Sequence, residues 1–118
     1  MTADDFRRIA CNMPGTSENA HMGHPDFRVH GKIFATLGCP DNGYGMVKLT
    51  PEQQQEVIQN EPGIFAPIKG GWGRQGCTQV RLQAATEEAV GHAMTMACRN
   101  VAVKALAVKT KRPKTTTA

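Results

Sequence analysis

Four histidines and four cysteines are the side chains best suited to metal binding or nucleophilic chemistry in this chain of 118 residues. His21 and His24 are two residues apart, and Asp26 and His30 follow closely, a spacing that could gather imidazoles and a carboxylate around one ion. Cys11, Cys39, Cys77 and Cys98 stand singly, however, with no C-x-x-C pair and no four-ligand pattern. No metal centre is predicted. A thiolate nucleophile would need a histidine partner in a recognisable setting, and pairs such as Cys77 with His24 have no supporting motif. The expectation is a non-enzymatic protein with no catalytic residues, no metal and no cofactor.

A second chemical possibility lies in the glycines. Gly71-Trp72-Gly73-Arg74-Gln75-Gly76 fits G-x-G-x-x-G letter for letter. A dinucleotide site requires that run to open a helix after a strand, so that the helix N-terminus meets the pyrophosphate. Here Cys77 to Gln83 reads as a strand, so the run predicts a loop or bulge before it. Trp72, with glycines at 70, 71, 73 and 76 around it, could stack a base or cap a ligand, or close one end of the core.

These residues must be positioned by elements that announce themselves at their starts. Thr2, Thr50 and Thr86 each precede acidic or amide residues, so each hydroxyl can accept from an orphan N–H at a helix start. Thr50-Pro51-Glu52-Gln53 adds a capping box and a proline at the first helical position. In the first helix Phe6, Ile9, Ala10 and Met13 share a face, and Pro14-Gly15 ends it. The last helix, about 87–106, puts Val90, Ala93, Met94, Ala97, Val101 and Cys98 on one stripe. The middle helix offers only Val57 and Ile58 and is expected at the periphery.

Between the helices the period falls to two. Strands are predicted at Glu18–Met22, Pro25–Val29, Lys32–Gly38, Tyr44–Leu49 and Cys77–Gln83, with short links favouring antiparallel neighbours. A three-residue hairpin loop Val29-His30-Gly31 would put Phe27, Ile33, Ala35 and Leu37 on the inner face with Val47, Leu49, Val80 and Leu82. The outer face would then carry Arg28, Lys32, Lys48 and Arg81, with Phe34, Met46 and Thr36 between them.

That face matters because the net charge of +4 does not belong to the folded part. Residues 1–108 hold ten basic and ten acidic side chains, and the excess sits in Lys109, Lys111, Arg112 and Lys114. Residues 1–108 are therefore read as one domain and 109–118 as a disordered basic tail. A neutral domain can still present a basic patch to DNA. Arg28, Lys32, Lys48, Lys69, Arg74 and Arg81 are the candidate phosphate contacts; the plainer account is that they are the solvated side of the sheet. An alternative is a protein or small-ligand interaction surface around Trp72 and Phe34.

Three blocks in order carry a family resemblance: His24-Pro25-Asp26-Phe27, Met46 to Gln53, and Lys69 to Leu82. Together, across about residues 2–103, the chain resembles the MmcQ/YjbR family of small bacterial proteins. The resemblance implies an α+β fold like that of the bacterial frataxin CyaY, an antiparallel sheet with helices packed on one face, in the order α-β-β-β-β-α-β-α. It also implies a DNA-binding role suggested from fold and no catalytic assignment. No apolar stretch reaches the ~20 residues that span a bilayer, and no export signal is evident. The expectation is a cytoplasmic protein with reduced thiols and no membrane contact.

Overall fold

The computed structural model describes the backbone of residues 1–21, 23–38 and 42–117, and the side chains of residues 1–20, 23–38 and 42–104. The element order is α1 (Ala3–Cys11), β1 (Thr16–His21), β2 (His24–Val29), β3 (Lys32–Leu37), β4 (Tyr44–Lys48), α2 (Pro51–Asn60), β5 (Phe65–Pro67), α3 (Gly71–Arg74), β6 (Cys77–Arg81) and α4 (Glu87–Thr117). The α+β class is as expected, with β5 and α3 added to the order read from the sequence. Met22, expected to end the first strand, and Cys39 lie outside the described residues. The backbone of α4 continues to Thr117, and the side chains of the expected basic tail lie outside the described residues.

The helix starts follow their threonines. Thr2 and Asp5 form a reciprocal capping box, as do Thr50 and Gln53, and the Thr86 hydroxyl accepts from the Ala89 N–H. The backbone N–H and hydroxyl of Thr2 hold the Asp5 carboxyl below its ordinary pKa. A depressed folded-state pKa contributes stability that is present above the unfolded-state value and lost as pH falls through the folded one. Asp5→Asn is therefore expected to flatten the acid limb of the stability–pH curve, as followed by urea melts at stepped pH.

The six strands form one antiparallel sheet in the order β1-β2-β3-β4-β6-β5. Helices α1 and α4 pack together on its inner face. There Phe6, Ile9 and Ala10 of α1 and Val90, Ala93, Met94 and Ala97 of α4 are buried against Phe27, Val47 and Val80. The middle helix is less peripheral than its sequence suggested: Gln54 and Val57 are buried, and α2 contacts β5 at the sheet edge.

The hairpin register differs from expectation. His30 and Gly31 both have positive φ, 52° and 76°, so the loop is the two-residue primed turn that matches strand twist. Val29 then pairs with Lys32 and Arg28 with Ile33, and the ladder resumes at Phe27 with Ala35. Phe34 is left as the extra residue of a β-bulge. The bulge lets Phe34 and Ala35 both face the core, and each is 0% exposed.

Two assignments are thereby corrected. Phe34 is an inner, buried residue and no partner surface, while Ile33 moves to the outer face. Lys32 and Arg28 belong to adjacent cross-strand pairs, which alternate faces, so the two cations do not lie side by side.

Candidate functional site

The Gly-rich block folds into a one-turn helix whose backbone is fastened on both sides. Ile68 donates its N–H to the Cys77 carbonyl at 3.0 Å, and Leu49 donates to the Gly76 carbonyl at 3.2 Å. Gly73 is buried; a Cβ built there would meet the Ile68 carbonyl oxygen at 1.7 Å, so only glycine permits this approach. From α2 the buried Gln54 amide donates to the carbonyls of Gly73 at 3.0 Å and Cys77 at 3.1 Å, spending both its hydrogens. This scaffold projects Trp72 outward, and the residue is 64% exposed. Trp72 does not close the core.

Trp72 stands between two grooves. The first lies over the outer sheet face, has a volume of about 370 Å³ and is walled mainly by Pro25, Ile33, Met46, Ile68 and Trp72. Thr36 also lines it, and among the described residues only the Thr36 hydroxyl is buried without a hydrogen-bond partner. An orphan hydroxyl costs roughly 1–3 kcal/mol. Thr36→Val is accordingly expected to raise stability by about 1 kcal/mol, the lower end of that cost, as read from urea unfolding midpoints.

The second groove, about 580 Å³, runs along the other side of Trp72 towards α4. Lys48, Arg99 and Lys104 border it together with Asn100 and Val103. Asn100 is oriented by donating to the Gln53 side-chain oxygen at 2.6 Å and the Lys48 carbonyl at 3.4 Å. Trp72 and Val103, at 64% and 59%, are the large exposed hydrophobics among the described residues, and both border this groove.

The candidate phosphate contacts are scattered. Arg28 is committed: its Nε and Nη2 donate to the two oxygens of buried Asp26 at 2.9 and 3.2 Å, a fork that pushes the guanidinium pKa up. Lys32 is exposed on the opposite face. Arg81 sits beside Tyr44 at the far end of the β4–β6 ladder from Lys48, about 13 Å away at strand rise. Lys69 and Arg74 are exposed and flank Trp72 in sequence, and Lys48 is half-buried between the grooves. Among the described residues no continuous basic sheet face results. Of the family-motif residues, His24, Pro25 and Asp26 line the first groove, whereas Phe27 is core.

Cys11 and Cys98 are in no disulfide. Burial pushes the Cys98 thiol up, and burial together with Glu18 does the same at Cys11, so neither is disposed to ionise at neutral pH. Among the described residues no three His, Cys, Asp or Glu side chains come together to hold a metal, and no helix is long and apolar enough to cross a membrane. Gln54, Ile68, Arg99, Val103 and Lys104 were not expected at a site. Only Val103 carried a sequence signal, as an apolar residue off the buried stripe of α4.

The YjbR family model matches residues 11–100 of this chain. A crystal structure of the Deinococcus radiodurans protein DR2400, with the family-model domain DUF419, is similar at a TM-score of 0.64 and 21% identity. The match covers 79% of this chain and 72% of that one, and at such identity the likeness concerns the fold. No curated protein matches.

Proposed function

We propose a non-enzymatic binding role for this chain, which belongs to the YjbR family: the groove beneath Trp72 takes an apolar group of a small ligand or partner. The observation that carries the reading is an exposed tryptophan held by a fastened scaffold over an apolar groove. A solvent-facing aromatic without a partner gains nothing for the fold, yet Gln54, Gly73 and Gly76 all serve to fix it. Groove size and lining suit a ring-sized group.

Trp72 is the chain's one tryptophan, so its emission reports this site alone. Titration with the neutral probe N-phenyl-1-naphthylamine is expected to quench it, and Trp72→Ala is expected to weaken probe binding about tenfold or more, as loss of an aromatic anchor does. Unchanged emission at saturating probe would overturn the reading.

A second reading, contact with the phosphates of DNA in the cytoplasm, is favoured by Lys48, Lys69 and Arg74 around an exposed aromatic, the combination that strand-binding proteins use. Binding of that kind falls steeply with salt. It is expected to survive, weakened, when residues 109–118 are removed; loss with the tail alone would sink the folded-site version.

A further inference from the structure

Resting on the apolar-groove reading, we infer that the occupant is a small flat organic anion: a ring system seated beneath Trp72 with a carboxylate, sulfonate or phosphate group turned towards α4. The argument is the pairing of the two grooves. Trp72 and Lys48 border both, so a ligand under the indole reaches the second groove at the lysine. There Arg99 and Lys104 add two more cations, and among the described residues no acid lines that groove. None of the three cations has a salt bridge among the described residues, where the ion pairs are made by Arg7, Arg8 and Arg28. Among the described residues the one carboxylate of the first groove, Asp26, is already bound by Arg28.

The placement on α4 is regular. Arg99 and Val103, like Asn100 and Lys104, are separated by one helical turn, so cations, an amide and an apolar residue share the face that looks over the groove. Asn100 is fixed by Gln53 and Lys48, which leaves it a placed neighbour of the charged group. Apolar contact is thus supplied on one side of the indole and positive potential on the other, the complement of a molecule that is flat and apolar at one end and anionic at the other.

Two probes with the same rings separate the parts of this inference. 8-Anilinonaphthalene-1-sulfonate is N-phenyl-1-naphthylamine carrying a sulfonate. At low salt the intact protein is expected to bind the sulfonate about fivefold to tenfold more tightly than the neutral compound, the gain from a few partly exposed charge contacts. That preference should fade as salt rises. Arg99→Gln combined with Lys104→Gln, both on an exposed helix face, is expected to bring the sulfonate down to the neutral probe's affinity, with unchanged helix content by circular dichroism. Equal affinity of the two probes for the intact protein overturns the anion and leaves the apolar groove standing. Failure of both to quench Trp72 overturns the groove reading as well. Displacement of the sulfonate by oligothymidylate but not by excess naphthalene-1-sulfonate overturns the small anion in favour of a nucleic-acid strand.

Discussion

Replacing Phe34 by alanine is expected to destabilise the protein by roughly 3–5 kcal/mol, the cost of emptying a fully buried aromatic site. The residue is 0% exposed and belongs to the core beneath α1 and α4. It reaches that core only because β3 carries one residue more than β2 between two cross-strand pairs. Its neighbour Ile33 lies on the outer face, half-buried in the groove wall, and Ile33→Ala is expected to cost about 1 kcal/mol, as partly exposed positions do. Urea unfolding of the two variants reads the register directly. A larger loss at Ile33 than at Phe34 would mean that the three-residue loop and the opposite sorting of faces are correct.

That comparison shows where the sequence was legible and where it was not. Thr2, Thr50 and Thr86 could be read because a cap is a contact between residues three apart, decided by local chemistry. The stripe Val90, Ala93, Met94 and Ala97 was legible for the same reason, since helical period alone puts those positions on one face. The hairpin was not, because a two-residue loop with a bulge and a three-residue loop without one spend the same chain on different faces. Alternation of side chains cannot distinguish them; the positive φ of His30 does.

The site was legible only as a residue. Trp72 stood out as a lone tryptophan among glycines, but whether it faced core or solvent depended on α3, a single turn too short to show a period. Gln54 lies in the run Gln53-Gln54-Gln55, and nothing local distinguishes the one whose amide is buried under α3. Arg99 and Lys104 become site residues because α4 passes over the end of β4 beside Trp72, a consequence of tertiary packing. The basic sheet face failed for a related reason. It was built from alternation along strands, whereas the cations that converge on one groove, Lys48, Arg99 and Lys104, come from β4 and α4.

Gly73→Ala tests whether that convergence depends on the Gly-rich block, and it is expected to cost at least about 3 kcal/mol, the upper end for overpacking, because the obstacle is main chain. The added Cβ would lie 1.7 Å from the Ile68 carbonyl oxygen and 2.8 Å from its carbon, and no side chain can swing aside to relieve it. Either α3 lifts from the strand or the Ile68 segment shifts. Ile68 donates to Cys77 and Gln54 donates to Gly73 and Cys77, so lifting α3 also strains the bonds that hold it. The expected signature is therefore double: a lower urea midpoint, and a changed Trp72 emission before global unfolding begins. Gln54→Leu, which removes the amide without adding a clash, is expected to move emission in the same direction with a smaller loss of stability, about 1–3 kcal/mol for two hydrogen bonds lost, since the N–H groups of Gly76 and Ile68 still donate to the Gly73 and Cys77 carbonyls. If Gly73→Ala were tolerated with unchanged emission, the close passage of α3 over Ile68 would be wrong, and the proposed binding role of Trp72 would lose its scaffold.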